Sequence, residues 1–204
     1  MQQHNASPPP YHIIPATPSH IPQITAIVNH YVLNTIVNKS YRPLPESHYN
    51  NILTDNHSRR KLPLFVAIEG SQNNDGDSSD NNEEKVIGFI TVTPWFPPKL
   101  GYAYTLEVSL YISPTQRGGG IGTALLTTPI THLENNEYFI FSEGGAAAPS
   151  PSFSIVPDGL NFIYGILVKC TQLLALMAID GENMTLDGRV KKFYEREGFE
   201  LMGL

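Results

Sequence analysis

The sequence predicts an α/β protein in which a mixed sheet is flanked by helices. Three observations carry that expectation. Ile24, Ile27, Val28, Tyr31 and Val32 recur at helical spacing, whereas apolar runs of strand length stand at 11–15, 64–69, 86–93 and 104–112. The run LEVSLYISPTQRGGGIGTALL, from Leu106 to Leu126, then joins the last of those strands to a helix through a Pro turn and three successive glycines. A strand-to-helix crossover at the centre of such an order belongs to helices packed on a sheet.

The elements follow in order. Residues 1–10 (MQQHNASPPP) read as a disordered tail, leaving 11–204 for one domain. After the first strand, Thr17-Pro18-Ser19 starts a helix, with Pro18 in the first turn where its missing N–H costs little. Tyr49, Ile52 and Leu53 mark a shorter helix after the Pro-rich 43–45 segment. The strands at 64–69 and 86–93 are separated by SQNNDGDSSDNNEE, within 70–85, which has no apolar residue to bury and is expected to be a disordered hairpin loop. The helix after the glycines should span 120–134, with a kink or early stop at Pro129, since proline removes a hydrogen bond and crowds the preceding turn. Residues 135–162, including EGGAAAPSPS, are expected to form an insertion loop. A buried strand at 172–179 and a final helix at 186–197 follow, with Gly198 at the C′ position that ends the helix.

Composition narrows the function. A net charge of −6 lacks the basic face of nucleic-acid binders, so no nucleic-acid partner is expected. Cys170 is the one cysteine, which excludes an internal disulfide and a thiolate metal cluster. The seven histidines have no ligand spacing, so no metal is expected. No signal-peptide pattern and no apolar run of membrane-spanning length occurs, and a cytoplasmic protein without a membrane partner is the expectation.

The glycine stretch points to an anionic ligand. Glycines let the backbone approach a ligand closely, and the first N–H groups of the following helix have no intrahelical partner. The helix dipole adds positive potential there, so the site suits phosphate or pyrophosphate. A helix cap with no ligand is the alternative. No Gly-Lys-Ser/Thr ending and no G-x-G-x-x-G pattern is present, so neither a Walker loop nor a dinucleotide fingerprint explains it.

What the stretch does fit is Arg/Gln-x-x-Gly-x-Gly/Ala, read as Arg117, Gly120 and Gly122. It resembles the acyl-CoA pyrophosphate loop of the GNAT (GCN5-related) N-acetyltransferases, and the element order matches their mostly antiparallel, twisted sheet from 11 to 203. Three shorter stretches are similar to the phosphinothricin N-acetyltransferase branch: Thr35-Ile36-Val37-Asn38; Pro94-Trp95 followed by Tyr102-Ala103-Tyr104-Thr105-Leu106-Glu107; and Phe193-Tyr194-Glu195-Arg196-Glu197-Gly198-Phe199. The resemblance implies an acetyl-CoA-dependent N-acetyltransferase that acylates the primary amine of a small molecule directly, in a ternary complex.

Strand alternation puts Thr105, Glu107, Ser109 and Tyr111 on one face of the 104–112 strand. A carboxylate inside a buried strand either finds partners or takes up a proton. Glu107 is thus a candidate general base for an ammonium substrate; the other roles open to it are a substrate anchor or a purely structural ion-pair partner. By resemblance, Tyr194 would protonate or orient the leaving thiolate, although the phosphinothricin branch usually carries histidine there; Phe193 and Tyr194 could instead be packing aromatics. The resemblance gives the cofactor Leu110, Tyr111, Ile112, Arg117, Gly118, Gly119, Gly120, Ile121, Gly122 and Thr123. The substrate side would comprise Thr35, Val37, Asn38, Trp95, Lys99 and Tyr102.

The departures from the branch are specific. FPPKLG, with Lys99, stands where it normally has an arginine, and Asp187 takes the helix-start place of an asparagine. Relatives continue for two strands past the Gly-Phe pair, so the last strands are expected to be missing and a sheet edge to be open, which invites pairing in a homodimer. A degenerate protein that binds acyl-CoA without turnover is the alternative to the enzyme.

Overall fold

The computed structural model describes residues 11–35, 38, 40–70, 84–95, 102–116, 118–143, 163–175 and 188–200. The 1–10 tail, most of the acidic 70–85 loop, residues 144–162 and Asp187 lie outside the described residues. The order is β1 (Tyr11–Pro15), a 3-10 turn (Pro18–His20), α1 (Ile21–Asn34), α2 (Glu46–Ile52) continued by a π-helical turn (Leu53–Arg59), β2 (Leu64–Glu69), β3 (Val86–Pro94), β4 (Thr105–Ile112), α3 (Ile121–Asn135), β5 (Tyr138–Glu143), β6 (Ile163–Val168), β7 (Gln172–Ala175) and α4 (Gly188–Arg196). Thr17 caps the first turn through a reciprocal exchange in which its N–H donates to His20 Nδ1 at 3.0 Å.

Five strands form one sheet in the order β1-β2-β3-β4-β7, while β5 and β6 pair separately. The β1–β2, β2–β3 and β3–β4 pairings are antiparallel and β4–β7 is parallel, so the sheet is mixed and mostly antiparallel, as the sequence predicts. Its two faces carry two apolar layers. On one, Ile87, Ile90, Leu106 and Val108 pack with Leu125 and Leu126 of α3. On the other, Leu64, Val66 and Phe89 meet Ile24 and Val28 of α1 and Tyr49 of α2. Each fully buried Leu or Ile contributes roughly 2 kcal/mol of transfer free energy. Gly88 lets α3 lie close, because a Cβ there would stand 3.1 Å from Leu125 Cδ1 and 3.1 Å from the Tyr111 carbonyl oxygen.

Two expectations change. Helix α3 does not stop at Pro129 but runs to Asn135, with the proline ring buried against the core. The carbonyl that loses its N–H partner is that of Leu125; the Thr127 and Thr128 hydroxyls bond back to the neighbouring carbonyls of Thr123 at 2.8 Å and Ala124 at 2.9 Å. Burial on the sheet outweighs the one hydrogen bond that proline removes. The expected insertion loop also begins with a strand, since Tyr138–Glu143 pairs antiparallel with Ile163–Val168. The run YFIF is rich in strand formers, and Tyr138 fixes it by donating a 2.6 Å hydrogen bond to the Ala103 carbonyl.

Candidate functional site

The glycine loop takes a conformation that only glycine adopts readily. Gly118, Gly119 and Gly120 have φ of 93°, 63° and 76°, three successive left-handed residues between the end of β4 and the start of α3. The first intrahelical bond runs from Ala124 N–H to the Gly120 carbonyl at 3.0 Å. The N–H groups of Gly122 and Thr123 therefore precede the helical ladder and point out of its positive end. Gly122 has a different reason to be glycine: a Cβ would lie 3.3 Å from the Phe193 ring of α4 and 3.4 Å from Ile112 Cδ1. Ile121 points the other way and is buried in the core.

Beside this loop, β4 has an open edge. β7 pairs with Thr105–Val108 only, and among the described residues no strand lies next to Ser109–Ile112 on that side. Trp95 N–H donates to the Thr105 carbonyl and Ser113 N–H to the Ile87 carbonyl, which fixes the alternation of the β3–β4 ladder. Backbone groups of Glu107, Ser109 and Tyr111 then turn toward β3, whereas those of Leu110 and Ile112 turn toward the open edge. Tyr111 can therefore serve a ligand through its side chain rather than its backbone. The Tyr31 hydroxyl donates to the Ile112 carbonyl at 2.6 Å, placing an α1 phenol at the same edge.

The polar face of β4 looks toward α1 and α2. Glu107 is half-buried and stands opposite Thr93 of β3 and Leu174 of β7. Tyr111 stacks on Phe89 with ring centroids 5.4 Å apart, and its hydroxyl accepts a 2.9 Å hydrogen bond from Asn38 Nδ2. Asn38 is itself oriented by Ser40 N–H, which donates to its Oδ1 at 2.8 Å. Burial raises the Tyr111 pKa, opposed by the Asn38 hydrogen bond and reinforced by Glu107 and Tyr31.

Tyr194 approaches from the opposite face. Helix α4 ends in a Schellman motif: Phe199 N–H donates to the Tyr194 carbonyl at 2.9 Å and Gly198 N–H to the Glu195 carbonyl at 3.1 Å, with Gly198 at φ 90°. The apolar contact that accompanies this motif is between Tyr194 and Phe199, whose rings are 5.3 Å apart. So the signal that stops the helix also mounts Tyr194. Its pKa is pushed up to about 12, first by burial and then by Tyr111. Tyr194 packs with the α3-side core, while Glu107 and Tyr111 lie on the α1 side.

The remaining candidates divide. Trp95 directly follows β3, its N–H bonded to the Thr105 carbonyl, and Tyr102 stands exposed just before β4. The Thr35 hydroxyl donates to the Tyr31 carbonyl at 2.7 Å and closes the end of α1. Thr123 donates its hydroxyl to Glu197 Oε1 at 2.9 Å. Val37, Lys99 and Arg117 lie outside the described residues. The sequence placed Tyr31 only on the apolar face of its helix; its reach to the β4 edge was signalled by nothing but its place four residues before Thr35. Among the described residues there is no cluster of His, Cys, Asp or Glu that could hold a metal. No helix among them is long and apolar enough to cross a membrane.

Three left-handed glycines thus stand beside a half-paired strand in a mixed α/β sheet. The model of the acetyltransferase (GNAT) family matches residues 33–144, more than half of the chain. The chain belongs to this family. An N-acetyltransferase of Streptomyces griseus is 35% identical over 108 residues, covering 51% of this chain and 49% of that protein. The chain thus spans about half the length of the curated relative it matches. Among solved structures, the yncA protein of Salmonella typhimurium, with its cofactor acetyl-CoA, superposes with a TM-score of 0.51 at 20% identity, over 78% of this chain and 93% of that one. A phosphinothricin acetyltransferase of Sinorhizobium meliloti in complex with acetyl-CoA gives a TM-score of 0.50 at 24% identity, over 65% and 64%. These two likenesses establish the fold.

Proposed function

We infer that the chain is an acetyl-CoA-dependent N-acetyltransferase of the cytoplasm that acylates the primary amine of a small molecule by direct transfer. The observation that carries this reading is the left-handed glycine triplet opening onto the unpaired half of β4, with a carboxylate on one side of the sheet and a half-buried phenol on the other. Acetyl-CoA, when bound, supplies an acetyl group activated as a thioester. The N–H groups of Gly122 and Thr123 fit its pyrophosphate, and the Leu110 and Ile112 backbone groups fit its pantetheine amides. A β4 N–H is also available to steady negative charge on the acyl oxygen. Glu107 takes the proton from the ammonium, directly or through water, and frees the nitrogen lone pair for attack. Tyr194, its pKa pushed up to about 12, stays protonated across the neutral range. Its hydroxyl can give a proton to the departing sulfur and regain one from the amine nitrogen as the amide forms, leaving the other amine proton on Glu107.

The acceptor side would combine Glu107 with Asn38, Tyr111, Trp95 and Tyr102. A phosphinothricin-like amino acid is the acceptor class suggested by the branch resemblance. The reading is tested by following free thiol release from acetyl-CoA with and without a panel of amines, including phosphinothricin and methionine sulfone. Amine-dependent release is expected. Stabilisation by acetyl-CoA without amine-dependent release would instead identify an acyl-CoA binder.

A further inference from the structure

The sheet face that carries Glu107 holds an enclosed hydroxyl that bonds to nothing. Thr91, in the middle of β3, is 5% exposed, and its Oγ1 has no hydrogen-bond partner among the described residues. Strand register sets it directly opposite Leu64 of β2 and Ser109 of β4. Phe89, two residues earlier on β3, packs with the α1-side layer, so Thr91 and Thr93 look the same way. Glu107, Ser109 and Tyr111 share that face on β4. Ser109 is half-buried, so its hydroxyl can be reached from outside where that of Thr91 cannot.

A buried hydroxyl without a partner destabilises a fold, and valine would fill nearly the same space, suit a strand equally well and avoid the cost. Directly opposite Thr and Ser side chains on an antiparallel pair can bond to each other. A rotation about χ1 brings the Thr91 O–H onto Ser109 Oγ. The Ser109 hydroxyl is then held as an acceptor from behind and has its own proton to give toward the acceptor side. Glu107 stands two residues along the same strand, about 7 Å away between Cα positions, where the ammonium is expected.

We propose that Ser109 is a specificity-determining hydroxyl of the acceptor site, and that the amine it selects carries a hydrogen-bond-accepting oxygen at a fixed distance from its nitrogen. Thr91 does not touch the acceptor; it is a positioning residue that acts through Ser109. The proposal rests on the acetyl-transfer reading, with Glu107 at the ammonium, and adds which body the amine has. Its signature is a split between stability and selectivity. Removing the Thr91 hydroxyl makes the fold more stable and the enzyme less selective, whereas removing only its methyl does the reverse. A threonine kept for strand packing alone would show no link to selectivity.

The experiment measures kcat/KM of the full chain for methoxyethylamine, methoxypropylamine and methoxybutylamine, each against the alkylamine in which a methylene replaces the oxygen. Desolvation disfavours the ether throughout, so a preference for it marks a donor in the site. Wild type should prefer the ether about fivefold at one chain length and not at the others, the worth of one neutral hydrogen bond. Ser109→Ala should abolish that preference. Thr91→Val should reduce it to about twofold while melting about 2–4 °C higher. Thr91→Ser should keep the preference and melt lower, having lost a buried methyl group. No ether preference at any length, a preference that survives Ser109→Ala, or an unchanged preference in Thr91→Val overturns the proposal. Should wild type acetylate none of these amines, the acetyl-transfer reading fails for them separately. The same pairs are then compared by calorimetric Kd with CoA present, and equal binding of ether and alkylamine at every length overturns the proposal.

Discussion

Replacing Gly120 with valine tests the cradle most directly. Gly120 has φ 76° and ψ 4° and supplies the carbonyl that accepts the first bond of α3 from Ala124 N–H at 3.0 Å. Holding an L-residue in this left-handed region costs about 1–2 kcal/mol, and more for a β-branched one. The Cβ itself would be tolerated, 3.6 Å from the Tyr11 hydroxyl, but the branched methyl groups would crowd it. If the backbone escapes the strain by rotating, the first helical bond is lost, at about 1 kcal/mol. The sum, roughly 2–3 kcal/mol, lowers the melting temperature by about 4–12 °C for a domain of this size. Binding suffers more, because several charge-assisted N–H contacts to the ligand are misdirected together. A loss of about 3 kcal/mol raises the CoA Kd by at least about 100-fold. Calorimetric titration well below the melting temperature separates the two effects. Gly70→Ala is the control: Gly70 has φ 103°, a Cβ added there would meet nothing within 4 Å, and it lies outside the candidate site, at the end of β2. It should lose comparable stability and keep its CoA affinity. Should Gly120→Val melt early yet bind CoA within twofold of wild type, the cradle is not the phosphate site.

Three further outcomes are expected. Glu107→Gln should lower kcat about 100-fold at neutral pH with the CoA Kd unchanged; a kcat equal to wild type across pH 6–9 refutes the base role, and a raised amine KM alone identifies an anchor. Tyr194→Phe should lower kcat about 100-fold, and it should also flatten the alkaline loss of stability. The folded pKa of about 12 lies above the unfolded value of 10, so the neutral phenol's contribution is complete below pH 10 and is lost as pH rises toward 12. Urea midpoints at pH 9 and pH 11.5 measure that difference, and an equal fall in both proteins contradicts it. Asn38→Ala removes the donor to the Tyr111 hydroxyl, and should cost about 1 kcal/mol of stability and raise the amine KM severalfold without moving the CoA Kd; an unchanged amine KM would take Asn38 out of the acceptor pocket.

Local physics made much of this molecule legible. The alternation in 104–112 assigned Glu107 and Tyr111 to one face, and the structure puts them there together. The glycine triplet announced unusual dihedrals, and Gly198 announced the end of α4. What stayed hidden depends on residues far apart in the chain. The β5–β6 pairing joins segments separated by nineteen residues, too many for a two-residue turn to set its register. Pro129 was legible as a helix breaker, but burial against the sheet is a tertiary effect that propensity does not contain. The same holds for Thr123 with Glu197 and for Tyr31 with the Ile112 carbonyl, contacts separated by 74 and 81 positions. No periodicity reaches across such intervals.

The Schellman end of α4 has a consequence in time. Its two backbone bonds and the Tyr194–Phe199 contact all fall within six residues, so this piece can form on the microsecond scale of a helix as soon as it is synthesised. Glu107, by contrast, stands on a strand that needs β3 beside it, and β3 needs β2. The carboxylate side of the site is therefore assembled slowly from segments that leave the ribosome early, and the phenol side quickly from one that leaves it late. Until α4 docks, the nascent chain holds the sheet and the glycine loop but lacks the phenol to which we assign the proton for sulfur.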